Sequence, residues 1–333
     1  MKVIIGVTGN ISSGKSEFCK ILEKNGAFWI DADKIGHKII DEKKEEIKKI
    51  FGAYLERKEI AEIIFKDIKI KNKYERWIHS EIKREVKKII EEGKEGYYAV
   101  EGALIYEAKA DRIMDYVIYL KASENVLFER AKKKGYNLDL FKRILYFQNL
   151  LKNKEEKADF VVENEGDINN LEKRAIEIYD QIKKKKPKFI CDSTCLRELR
   201  WLRLLGFDTT NSNNIRSIVK GIYEEKRFLL TRKKRVNLFP TWKIFKVPEG
   251  KFKIRIRRII DFFDLKDKID IFSRCTICNG DIEEINKREV KGKVPYYTYK
   301  TQKNFYICKK CDKIYWMGSH YFFFEKHFKE IIN

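Results

Sequence analysis

Residues 6–18 read GVTGNISSGKSEF, directly after the apolar run KVII. Gly9, Gly14, Lys15 and Ser16 stand in the spacing G-x-x-x-x-G-K-[ST]. Residues 2–7 read as a buried strand and residues 16–24 as a helix, the setting this spacing needs if it is to hold phosphate. Glycines let the backbone curl until successive N–H groups point at one anion. The following helix adds the positive end of its dipole. The spacing therefore predicts a cradle for a nucleoside triphosphate over Gly9, Asn10, Ile11, Ser12, Ser13 and Gly14, continued by Lys15, Ser16 and Glu17. Lys15 would reach the β- and γ-phosphates, and Ser16 would ligate Mg²⁺. The plain alternative is a Gly/Ser turn between a strand and a helix. The loop does not name an acceptor.

Around this loop, short apolar runs at residues 27–31, 97–101, 116–120 and 160–163 alternate with helical stretches. That alternation predicts a parallel sheet covered on both faces, with ligands at the carboxyl ends of the strands. Asp31 and Asp33 close the second run in IDADKIGH, and Glu101 closes the third. Acids there can orient a hydroxyl, accept its proton or hold Mg²⁺ through water. For Asp31 alone, an N-cap on the helix that follows competes as a reading.

The 333-residue chain carries a net charge of +22. Residues 1–186 hold 40 Lys+Arg against 34 Asp+Glu, a net +6, whereas residues 187–333 hold 33 against 17, a net +16. The basic second half is a candidate for RNA or DNA contacts; a lysine-rich proteome is the alternative. The lysine run of residues 183–186, followed by Pro187, marks a linker or a helix end. Domains are expected at residues 1–184, 185–270 and 271–333. No apolar run approaches a membrane span, and a strand from Lys2 leaves no room for a signal peptide, so a cytoplasmic protein without membrane contact is expected. In that compartment the seven cysteines point to metal or free thiols rather than disulfides.

Cys275 and Cys278, then Cys308 and Cys311, form two C-x2-C pairs separated by 29 residues. Two such knuckles make a closed tetrahedral site, predicting structural Zn²⁺. The segment 296–307, YYTYKTQKNFYI, is expected to form a hairpin between them. Cys19, Cys191 and Cys195 are expected to pack as small apolar residues.

The order of motifs in the first half resembles the dephospho-CoA kinase family. The chain has GNISSGKS, DADKIGH, RKEIAEIIF (57–65), WIHSEI (77–82), EGALIYEA (101–108), RILYFQ (143–148) and KEEKADFVVENEG (154–166). The resemblance implies a P-loop kinase with a three-layer parallel sheet, moving a phosphoryl group from ATP to the ribose 3′-hydroxyl of dephospho-CoA. It implies Asp33 as base or orienter near the attacking hydroxyl, Arg143 as a lid cation, and His79 on the acceptor side together with Asp31 and Glu101. A packed imidazole is the other reading of His79. Departures are Glu17 where the family has Ser or Thr, Ser80 in place of a proline, a short lid segment, and Lys134 near a usual lid arginine. A lysine neutralises phosphate but cannot grip it bidentately.

Residues 188–325 resemble the C-terminal RNase-like module of Mut-seven-type exonucleases, on FICDSTCLRELRWLRLLGFDT (189–209), RFLLTR (227–232), RCTICNG (274–280), VPYY (294–297) and YWMGSHY (315–321). That implies a PIN-like α/β domain with a zinc ribbon that binds, and in some members cuts, RNA. Cutting needs clustered carboxylates to hold metal. Asp192 fits as one, but Lys233 stands where an acid is usual. RNA binding without efficient hydrolysis follows, with Tyr297, Tyr299, Phe305, Tyr306 and Trp316 either stacking bases or forming the ribbon's core. The rival reading of the whole chain is an RNA-binding protein or ribonuclease with a regulatory or decayed nucleotide-binding domain.

Overall fold

β1 (Lys2–Gly9) is buried along its whole length, as a strand flanked on both sides and covered on both faces must be. The computed structural model describes every residue except 65–66, 237, 319–323, 325–327, 329 and 332–333, and of residues 58 and 61 the backbone alone. Phe65 and the last three residues of YWMGSHY thus lie outside the described residues. The chain divides into two compact units, Met1–Lys183 and Lys184–Asn333.

In the first unit β1 is followed by α1 (Lys15–Lys24), β2 (Phe28–Asp31), α2 (Ala32–Glu42), α3 (Lys44–Phe51), α4 (Arg57–Ile64), α5 (Ile68–Glu92), β3 (Gly96–Glu101), β4 (Tyr116–Lys121), α6 (Glu124–Lys132), α7 (Leu138–Gln148), α8 (Lys154–Lys157), β5 (Phe160–Glu163) and α9 (Ile168–Lys184). The strands form one sheet in the order β2-β3-β1-β4-β5, every pair parallel. One core lies between the sheet and helices α1 and α9, built from Val3, Ile5, Val7, Phe18, Leu22, Ile118 and Ile178. Register decides what gathers at the strand ends: Val7 pairs with Glu101, and Glu101 pairs with Asp31. The phosphate-loop segment and both acids therefore emerge at one rim. His79 lies on α5, which Asp67 caps, accepting the N–H groups of Lys69 and Ile70.

The second unit begins with β6 (Phe189–Cys191), α10 (Leu196–Leu204), β7 (Thr209–Asn211), α11 (Ile215–Tyr223), β8 (Phe228–Thr231), β9 (Ile244–Lys246) and α12 (Phe252–Phe263). Its strands form a second parallel sheet in the order β7-β6-β8-β9. Then come β10 (Ile282–Ile285), α13 (Tyr296–Thr301), β11 (Phe305–Cys308) and β12 (Ile314–Trp316), an antiparallel sheet in the order β10-β11-β12. The expected hairpin over 296–307 is corrected: its first half is α13 and only its end is strand. Pro295 precedes α13 at φ −54°, the value its ring imposes, and it lacks the N–H that a helix start leaves unpaired.

The first C-x2-C knuckle is tied to the parallel sheet by side chains. Arg203 donates to Thr209 O at 2.7 Å and to the carbonyls of Thr276 and Ile277 at 3.1 and 2.6 Å. Asn279 accepts the Thr209 N–H at 3.0 Å and donates to Asp208 at 2.7 Å, and Asp208 in turn pairs with Arg227 at 2.6 Å.

Candidate functional site

The loop after β1 has the strained turns its glycines permit. Gly9 has φ +149°, and a Cβ there would stand 2.2 Å from Leu120 O. Gly14 has φ +99°, and its Cβ would meet Asn164 Nδ2 at 2.3 Å. Gly14 caps α1 without any side-chain hydrogen bond, so the first amides of α1 remain for a ligand. Ser12 Oγ and Ser13 Oγ are buried hydroxyls with no protein partner among the described residues. Lys15 is buried and donates to Gly9 O at 3.1 Å and Asn10 O at 2.9 Å. Burial pushes its pKa down. Orphan donors, open amides and a buried ammonium fit a polyphosphate and would reject an apolar ligand.

Ser16 donates to Glu101 Oε1 at 2.6 Å, and Trp29 Nε1 donates to the other oxygen at 3.1 Å. Glu101 thus meets the hydroxyl expected to ligate Mg²⁺, a partnership the sequence reading missed when it assigned Glu101 to the acceptor. Burial raises the Glu101 pKa, and the Ser16 hydrogen bond works against that rise. Asp31 caps α2, accepting the Lys34 N–H at 2.9 Å, and lies 3.2 Å from Lys34 Nζ. Asp33, in the first turn of α2, keeps an exposed surface, yet the protein crowded round its carboxyl raises its pKa; Lys15 lowers it, Asp31 raises it, and His37 and the Ala103 N–H lower it.

Two cavities flank this centre. One, of about 370 Å³, is lined by Lys15, Ser16, Glu17, Arg130, Lys133, Lys134 and Asn164. Glu17 is turned to solvent and paired with Lys20 at 2.7 Å. Arg130 and Lys133 were not singled out in the sequence; their position in the last turn of α6 and at its C-cap brings them to the cavity. Arg143 is exposed on α7 and is not among the lining residues. The other cavity, of about 100 Å³, is apolar apart from Asp33, His79 and Lys83. Burial lowers the His79 pKa, and Lys83 adds to this while Glu107 opposes it. Asp33 lines this cavity, and Lys15, whose charge acts on it, lines the other.

In the second unit Asp192 is buried at the end of β6. One oxygen accepts the N–H of Thr194 at 2.9 Å and also its hydroxyl; the other accepts the Thr231 hydroxyl at 2.5 Å and lies 3.8 Å from Lys233 Nζ. Among the described residues the group of three or more ligands able to hold a metal ion is Cys275, Cys278, Cys308 and Cys311, whose sulfurs all lie within 4.8 Å of one another. Asn279 and Asp312, each following a knuckle, have φ +65° and +54°, turns that Asn and Asp tolerate. A Cβ at Gly280 would sit 3.0 Å from Cys308 Sγ and 2.7 Å from Lys310, so the knuckles close only over glycine. Burial pushes the Cys275 thiol up, but the N–H groups of Cys278 and Ile277 and the Tyr315 hydroxyl outweigh it and hold the pKa at about 6. Four thiols in this cradle fit a tetrahedral soft metal ion. Cys19, Cys191 and Cys195 are buried. The ribbon aromatics divide: Phe305 is fully buried and Tyr297 is 78% exposed, while Tyr306 stacks on Phe272 at 6.0 Å.

Comparison with known proteins agrees with both units. A family model described as dephospho-CoA kinase matches residues 3–170, and one described as Mut7-C RNAse domain matches residues 187–328. A dephospho-CoA kinase of Borreliella burgdorferi is 35% identical over 156 residues, covering 44% of this chain and 76% of its own length. One from Aquifex aeolicus is 31% identical over 193 residues, covering 54% and 96%. Among solved structures, dephospho-CoA kinase from Campylobacter jejuni is 27% identical, covers 55% of this chain and 98% of its own, and has a TM-score of 0.42. The chain belongs to the dephospho-CoA kinase family, and the unit that follows its kinase portion matches the Mut7-C RNAse domain.

Proposed function

We propose that the first unit transfers the γ-phosphoryl group of ATP to the ribose 3′-hydroxyl of dephospho-CoA. The observation that carries this reading is the junction of a phosphate cradle with buried Lys15 and a carboxylate, Asp33, that faces the apolar cavity. The transition state of such a transfer needs positioning and cationic stabilisation more than covalent chemistry. The amides that open α1 and Lys15 hold the β- and γ-phosphates. Ser16, oriented by Glu101, would hold Mg²⁺, which supplies charge neutralisation between those phosphates. Asp33 orients the 3′-hydroxyl and takes its proton as that oxygen bonds to phosphorus and the bond to ADP breaks. Arg130, Lys133 and Lys134 supply further positive charge, and Arg143 does so if the lid carries α7 inward. His79 contributes to the acceptor wall, and Asp31 acts chiefly as the cap that fixes Asp33.

For the second unit we propose structural Zn²⁺ on Cys275, Cys278, Cys308 and Cys311, and binding of RNA without efficient hydrolysis. The saturated Asp192, with Lys233 beside it, supports that loss of cutting, because an ammonium repels the metal that cutting requires.

Dephospho-CoA-dependent consumption of ATP by the full-length chain tests the kinase reading. We expect turnover that falls by about 10²–10⁴ in Asp33→Asn. Turnover equal with and without dephospho-CoA would sink it.

A further inference from the structure

Three residues from motifs that the transfer step leaves unused form a chain of contacts from the phosphate loop to the segment after β3. Gln148 ends α7 and is buried. Its Oε1 accepts the N–H of Ile11, inside the phosphate loop, at 2.7 Å. Its backbone carbonyl accepts Lys154 Nζ at 2.5 Å. Lys154 is only 6% exposed, and its Nζ lies 2.5 Å from Glu107 Oε1. Glu107 sits in the segment after β3, between Ile105 and Ala108, which line the apolar cavity. Both Glu107 oxygens are buried and make no well-angled hydrogen bond, so the contact with Lys154 is an ion pair by distance alone. Lys83 also holds this segment, donating to Ala108 O at 3.0 Å.

Stability does not account for this pair. Burying an ammonium and a carboxylate costs desolvation that their attraction roughly balances, and apolar residues of the same size would serve as well. The connections give it another use. Lys15 is held by Asn10 O, next to Ile11. When Lys15 leaves that carbonyl for a phosphate, the peptide carrying the Ile11 N–H must adjust, and Gln148 is its partner.

We propose that Lys154 is a positioning residue: through Gln148 it grips the phosphate loop, and through Glu107 the acceptor-side segment, so that nucleotide and acceptor strengthen each other's binding. The acceptor half of this statement rests on the kinase reading; the link between nucleotide and the 102–110 segment does not. Coupling of this kind is reciprocal, each ligand changing the other's affinity by one factor, and the element that carries it must respond to both.

The test uses the full-length chain with Mg²⁺, a non-hydrolysable ATP analogue and dephospho-CoA. In the wild type, the analogue slows amide exchange over residues 102–110, and the two ligands tighten each other about fivefold or more. In Lys154→Met the exchange of that segment ignores the nucleotide and the coupling factor falls to about 1, with each lone affinity within about twofold of the wild type. Lys154→Arg restores part of the coupling. Gln148→Leu, which leaves the ion pair intact, also brings the coupling factor to about 1, whatever the lone nucleotide affinity, and covers the case in which Lys154→Met does not fold. With one substrate saturating, the KM for the other rises by about the coupling factor that is lost. If dephospho-CoA does not bind the wild type, the kinase reading has failed and the exchange result alone decides. Unchanged exchange in the wild type, or a Lys154→Met chain that still responds, overturns the proposal.

Discussion

Gly14 has φ +99° and Asn164 Nδ2 2.3 Å from where a Cβ would stand. Gly14→Ala therefore strains the turn and displaces the Asn164 amide, which donates to Ser13 O at 2.8 Å. We expect nucleotide affinity to fall at least about tenfold, or roughly 1.4 kcal/mol, measured by calorimetry with MgADP. Asp33 gives a pH signature. Its carboxyl pKa is raised, first by burial, and only the ionised form can take a proton. Activity rises with pH through that pKa, so the acid limb of kcat/KM should lie above the ordinary aspartate range and be absent from the residual activity of Asp33→Asn. A limb at or below about pH 4 would contradict the crowded site. Glu101 shows where reading by residue type stops. A carboxylate after the third strand was legible as functional, but its partner Ser16 was not, because 85 residues separate them in the chain.

At the level of elements, the Asp31 cap before α2 was readable because it acts locally. The hairpin expectation failed because aromatic residues suit strands in general, while Pro295 set the local start of a helix. The tie between the first knuckle and the parallel sheet had no local signal at all. Arg203, 73 and 74 residues from the carbonyls it satisfies, had no reason to stand out among 73 Lys+Arg. Arg203→Met should leave three carbonyls with a lost donor and destabilise the second unit by about 2–3 kcal/mol, seen as a lower urea midpoint for the tryptophan signal of that unit. Stripping metal with a strong chelator should lower the melting of the same unit and release about one Zn²⁺ per chain, while MgADP still protects the first unit.

Across the whole molecule, charge and exposed aromatics favour one kind of partner for the second unit. Residues 187–333 carry a basic excess of +16, against +6 over residues 1–186, and Tyr296 and Tyr297 stand 76% and 78% exposed. Single-stranded RNA should bind with log K falling linearly in log salt, with a slope of about −0.7 per phosphate contacted. Tyr297→Ala should weaken binding by about 1–3 kcal/mol without changing the melting temperature, since the ring buries little. Binding insensitive to salt would remove nucleic acid as the partner. Lys233 3.8 Å from Asp192 also predicts no metal-dependent cleavage of the same RNA in an end-labelled assay.

The sequence by itself determined the phosphate loop, the five strands of the first sheet and the two cysteine pairs. Each depends on residue type at short spacing: glycines where φ must turn positive, β-branched and aromatic runs for buried strands, and thiols two residues apart for one ion. Only the tertiary structure decided that Glu101 holds Ser16, that Arg130 and Lys133 rather than Arg143 line the larger of the two cavities, and that Gln148 meets Ile11 while Lys154 meets Glu107. Those pairings depend on strand order and register, with β1 set between β3 and β4, and chain folding can bring any two distant residues together without leaving a mark on the residues between them.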